Sequence, residues 1–120
     1  MEYTELKVWK ETRKLVNSLY DITKKFPKDE VYGLTSQMRR SAISIPSNIA
    51  EDCGRRTSSD SIHFFHISRG SLYELEIQLY LALDQNYIEA KEHKQLIEQI
   101  IGCKKLLNGF INYYKTLTTK

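Results

Sequence analysis

Apolar residues recur every three or four positions along nearly the whole chain, the spacing of helices that bury one side. They fall into four runs. The first begins at Thr4, whose hydroxyl is placed to accept a first-turn N–H, with Tyr3 set to pack on Val8 as a staple. Leu6, Trp9, Val16, Tyr20 and Thr23 make one stripe; Leu15, Leu19, Ile22 and Phe26 make a second beside it, and Pro27 stops the run. The second helix carries Leu34, Met38, Ala42, Ile45, Ile49 and Cys53, and Gly54 ends it with Arg55 and Arg56 near the negative end of its dipole. Thr57 and Asp60 form a capping-box variant ahead of the third, which presents Ile62, Phe65, Leu72, Leu75, Leu79 and Ala82 on one side. Phe64, Ile67, Ile77, Tyr80 and Leu81 occupy its other faces, and Asn86 is suited to the left-handed conformation that ends a helix. The fourth runs from about Glu89 with Leu96, Ile100, Cys103, Leu107, Phe110, Tyr114 and Leu117 close to a seven-residue period.

Four amphipathic runs with short links predict an all-α fold, an antiparallel up-down-up-down four-helix bundle filling residues 1–120 as one domain. The 5 glycines and 2 prolines among 120 residues agree, since many short strands would need more turns. The third run is apolar on more than one face and the first is nearly as broad. A lone bundle hides about a third to a half of each helix's circumference. The surplus, with 8 tyrosines that suit interfaces, predicts that these helices also meet copies of the chain.

The stretch "RRSAISIPSNIAEDCGRR", 39–56, changes the picture most. Pro46 cannot donate to the carbonyl of Ala42, and its ring crowds that carbonyl, at a cost of about 3 kcal/mol in a helix interior. Ser44, Ser47 and Asn48 can bond to the freed backbone groups, so the expectation is one kinked helix. Gly70 and Ser71 on the third helix leave room for it to pack closely. Of six arginines, five lie between positions 39 and 69. Arg39 and Arg40 point about 100° apart on a helix. They and the Arg55–Arg56 pair either fork onto Glu51, Glu74 or Glu76, within or between subunits, or contact phosphates.

The net charge of +3, from 18 Lys+Arg against 15 Asp+Glu, is too mild by itself to demand a nucleic-acid partner. His63 and His66 share a helix face with Asp60, but a second Glu-x-x-His half is missing, so no metal is predicted. The chain has no phosphate loop, dinucleotide fingerprint or nucleophile elbow. Cys53 and Cys103 lack metal spacing and read as buried thiols of a reducing compartment. No enzyme, cofactor or small-molecule substrate is expected. The start lacks a signal-peptide apolar run and no stretch is long enough to span a membrane, which points to the cytoplasm.

"YGLTSQMRRSAISIPSNIAE" at 32–51, "GRR" at 54–56 and "GSLYELE" at 70–76 resemble the four-helix bundle proteins encoded in intervening sequences of bacterial 23S ribosomal RNA genes; "LKVWK" and "LLNG" also fit. Asp52 stands where that family carries a small residue. The resemblance implies a homopentameric ring. It extends to the accessory variability determinant of diversity-generating retroelements, a basic pentameric barrel that binds a reverse transcriptase and nucleic acid. A ring would repeat each arginine pair once per subunit and build a basic belt that one chain cannot. Two functions follow as expectations. In one, an oligomeric bundle binds RNA or a nucleoprotein through Arg39, Arg40, Arg55 and Arg56, with Lys10, Arg13 and Lys14 as secondary contacts. In the other, a protein–protein scaffold uses its arginines only to clamp its own subunits.

Overall fold

The computed structural model describes residues 2–54 and 58–118, with side chains for 2–54 and 62–116. Four helices account for most of them: α1 (Lys7–Thr23), α2 (Leu34–Cys53), α3 (Ser58–Asp84) and α4 (Ala90–Thr118). Short 3₁₀ turns at Tyr3–Glu5 and Lys28–Glu30 precede α1 and α2. α2 packs on α1 and α3, and α4 closes the bundle against α3 and α1. Ser41 meets Glu74, Ser44 meets Ser71 and Ile45 meets Ser68, so α2 and α3 run in opposite directions. Glu76 with Lys104 and Arg69 with Asn108 set the same relation between α3 and α4.

Most of the core is drawn from the stripes that the periodicity selects. Leu15 and Leu19 of α1, Met38, Ala42, Ile45 and Ile49 of α2, Leu72, Leu75 and Leu79 of α3, and Ile100 and Leu107 of α4 are fully enclosed. Ile111 joins them one residue past Phe110, which is only half-buried. Cys103 is buried, and burial pushes its thiol up to about 11, the behaviour of a packing residue.

The helix starts and ends differ in places from the sequence reading. Thr4 lies in the 3₁₀ turn and caps nothing; α1 begins after Leu6, whose extended backbone (φ −72°, ψ 131°) resets the helical phase. That reset carries Tyr3 past Val8, and its ring meets the edge of Trp9 at 5.2 Å. Cys53, expected in the core, is exposed in the last turn of α2, and Asp52 is buried in its place. Asp52 follows Ile45 by seven and Ile49 by three, which returns it to the inner side. The Thr57–Asp60 capping pair falls outside the described side chains.

Asn86 ends α3 as its type suggests. It has φ 63°, and Tyr87 N–H donates to the Ala82 carbonyl at 2.9 Å while Asn86 N–H donates to Leu83 at 3.0 Å. These are the two bonds of a Schellman motif. Glu92 then reaches back to accept from Glu89 N–H at 3.0 Å, half of a capping box that starts α4. The same end of the bundle is latched. Glu30 accepts from Leu34 N–H at 3.1 Å through Oε1 and from the Tyr87 hydroxyl at 2.7 Å through Oε2. A Cβ on Gly33 would come 2.6 Å from Glu30 Oε1, so a glycine leaves the room this cap needs. The Tyr87 hydroxyl, then the Leu34 N–H, hold the Glu30 carboxyl below its ordinary value of 4.5.

Candidate nucleic-acid interface

α2 runs unbroken through Pro46. Asn48 Nδ2 donates to the Ser44 carbonyl at 2.8 Å and to Ser44 Oγ at 3.0 Å, and Ser71 of α3 donates to Ser44 Oγ at 2.9 Å. Ser68 donates to the Ile45 carbonyl at 2.9 Å from a fully buried position. Polar groups beside the proline are thus engaged within α2 and from α3. Gly70 does not take part: it is exposed, and an added Cβ would meet nothing within 4 Å. Residues 68 and 70 lie about 200° apart on a helix, so the small residue that faces α2 is Ser68.

The adjacent arginines of α2 diverge as their spacing requires. Arg39 turns toward α1. Its Nε donates to Thr23 Oγ1 at 2.9 Å, and its guanidinium lies over the Tyr20 ring at 4.5 Å. Thr23 passes the bond on to the Leu19 carbonyl at 2.8 Å. Arg40 is exposed beside a groove of about 240 Å³ between α2 and α3, with Gln37, Ser41, Ser44, Ser71 and Glu74 around it. Ser41 donates to Glu74 Oε1 at 3.0 Å and Gln78 to the same oxygen at 3.4 Å. These bonds hold Glu74 to its own neighbours, and Arg40 and Glu74 share the groove without an ion pair.

Among the described residues no arginine lies within ion-pairing distance of a carboxylate. Arg13 sits over the Trp9 ring at 5.5 Å, and Arg69 bonds Asn108 and His66. The acids pair with lysines instead: Lys14 with Glu11 at 3.3 Å, Lys24 with Asp21 at 3.6 Å, Lys25 with Glu92 at 3.0 Å and Lys104 with Glu76 at 2.6 Å. The clamp onto Glu51, Glu74 or Glu76 that the sequence allowed for Arg39 and Arg40 is therefore not made within the chain.

Among the described residues, the named cations are not gathered into one patch. Arg39 and Arg40 sit at the end of the bundle near the α1–α2 connector. Lys10 and Arg13 are exposed further down α1, and Lys14 is held by Glu11. Arg55 and Arg56 lie outside the described residues. Arg69 is the arginine left out of the sequence-based candidates; His66 lies three residues before it on α3, and the pairing of α3 with α4 brings Asn108 beside it. Among the described residues α3 exposes more large apolar side chains than any other helix: Ile77 is 61% exposed, Leu81 48% and Ile67 39%, with Tyr73 and Tyr80 also exposed; Tyr3, Val31, Tyr32, Ile43, Ile101 and Tyr113 are exposed elsewhere. The described part of α1 leaves no large apolar residue exposed, so the surplus expected there is absent. No described helix is long and apolar enough to cross a membrane.

A family model described as 23S rRNA-intervening sequence protein matches residues 4–109. The fold is similar to the crystal structure of a protein of unknown function from the S23 ribosomal protein family of Bacteroides thetaiotaomicron VPI-5482. That likeness has a TM-score of 0.80 at 22% identity and covers 87% of this chain and 97% of the other. None of the curated proteins matches the chain.

Proposed function

We propose, from the premise that this chain belongs to the 23S rRNA-intervening sequence protein family, that it is a non-enzymatic, self-associating bundle that binds RNA or a nucleoprotein partner through its arginines. The observation that carries this reading is the division of labour among the cations. Lysines take the carboxylates, and the described arginines are left with neutral or aromatic partners. A planar fork without an acid is available to a phosphate, to which it offers two parallel donors. Arg40 is the freest of them, and Arg55, Arg56, Lys10, Arg13 and Lys14 are further candidate contacts.

The exposed residues of α3 supply the association. A row holding Ile67, Ile77 and Leu81 is the kind of patch a soluble protein covers. Copies arranged in a closed ring, a pentamer by family resemblance, would repeat Arg40 once per subunit and turn single weak contacts into one strong field. The competing scaffold reading keeps the ring and gives the arginines to acids of neighbouring subunits.

Titration of a structured RNA at two salt concentrations separates the two. Affinity that falls steeply with salt, and falls uniformly across RNA sequences in Arg40→Ala, supports phosphate contact. An RNA affinity that is flat with salt or absent ends that reading. Loss of the assembled mass in Arg40→Ala favours the scaffold.

A further inference from the structure

Along the α3–α4 seam two cations are treated differently. Lys104 has its charge met by Glu76 Oε2 at 2.6 Å and lies 4.1 Å from the centre of the Tyr73 ring. Arg69 has two neutral props instead. Its Nη1 donates to Asn108 Oδ1 at 3.1 Å, and its Nη2 lies 2.8 Å from His66 Nδ1. A guanidinium has donors only, so His66 must offer the Nδ1 lone pair. His66 is therefore neutral and carries its proton on Nε2. Among the described residues, the groups whose charge acts on it are Arg69 and His63 of α3 and Lys115 of α4. Burial first, then these neighbours, push the imidazole below its ordinary value of 6.5.

We infer that Arg69 and His66 form a phosphate site that is closed while Arg69 donates to His66 and opens when His66 takes up a proton. Protonation at Nδ1 removes the acceptor. Two N–H groups on two cations then face each other across a hydrogen-bond length. An oxyanion placed between them accepts from both and replaces the repulsion with charge-assisted bonds. A ligand that prefers the protonated imidazole raises its pKa, and by reciprocity it binds more tightly as pH falls. The site is separate from the groove at Arg40, so it stands whether or not Arg40 contacts RNA. Two sources present this chemistry: the diester backbone of RNA and free phosphate.

The test is an NMR titration of the His66 ring in the full chain. It is run in chloride, in inorganic phosphate at equal ionic strength, and with a short single-stranded RNA. The expected result is a midpoint raised by about one pH unit, the effect of an opposite charge at contact distance. A rise with RNA and none with inorganic phosphate assigns the polymer backbone; a rise with inorganic phosphate alone assigns a small-anion site. A midpoint that neither probe moves beyond its value in chloride overturns the inference. Arg69→Gln, with its fold checked by circular dichroism, should lose the response. Asn108→Asp gives Arg69 an internal acid and should also lose it, which keeps the test available if Arg69→Gln does not fold. A response undiminished in the folded variants also overturns it.

Discussion

α1 and α3 both carry apolar residues around more than half a turn, and they part company in what lies over the outer ones. On α1 the flanks are roofed by the chain itself. The Tyr3 ring and the Arg13 guanidinium lie against Trp9, and Arg39 lies over Tyr20. On α3 the roof is partial. Tyr73 has Lys104 over it and Tyr80 meets His93 at 4.6 Å, yet both stay half-exposed, and Ile67, Ile77 and Leu81 face outward. The difference teaches that a wide apolar arc is not by itself a sign of association. What matters is whether cationic and aromatic side chains are placed to fold back over it.

The strongest way to sharpen this comparison is to truncate one inner and one outer residue. Leu19→Ala removes a fully enclosed side chain of α1 and should cost the subunit about 2–5 kcal/mol in a denaturant melt. Ile77→Ala should leave subunit stability within about 0.5 kcal/mol and should instead shift the light-scattering mass toward single subunits. An unchanged mass at every concentration would sink the idea that copies cover α3. Next in size is the roof itself. Arg39→Ala loses the bond to Thr23 and the cover on Tyr20, and should destabilise by about 1–2 kcal/mol. Arg40→Ala should change stability little, since no described group holds it. Equal effects from the two would break the distinction between a roofing arginine and a free one.

The smallest expected effect is at the latched end, which joins the connector after α1 to the turn after α3. Glu30 and Glu92 both have carboxyls held below 4.5, Glu30 first by Tyr87 and Glu92 first by the Glu89 N–H. Groups with lowered pKa add stability above their unfolded value and lose it as pH falls through the folded one. Melting temperature should therefore hold above about pH 5 and decline below 4.5, and Glu30→Gln should remove part of that decline. A wild-type acid profile identical to that of Glu30→Gln would show that the latch contributes nothing.

Much of this was legible in the chain because periodicity reports which side of a helix faces inward. The stripes through Met38, Ala42, Ile45 and Ile49, and through Leu96, Ile100, Cys103 and Leu107, are the buried ones. Asn86 gave away the end of α3 through its tolerance of positive φ. The divergence of Arg39 and Arg40 followed from helical pitch alone. What periodicity does not report is which neighbour a residue meets, or at what height. Thr23 read as a stripe member, but its use is to receive Arg39 sixteen residues later. Gly70 looked like the small residue for the proline segment, and Ser68 fills that place because the α2–α3 pairing sets the height. Arg69 stood out only as one of the clustered arginines until Asn108 was brought beside it.

The three serine contacts between α2 and α3 also fix how the bundle can move. A slip of one helical turn, about 5.4 Å, would strand the Ser68 hydroxyl, part Ser41 from Glu74 and separate Ser44 from Ser71 together. That pair of helices behaves as a keyed shaft. On the other side, α1 is tied to α4 by the exposed Lys25–Glu92 bridge near one end, a weak tether in water.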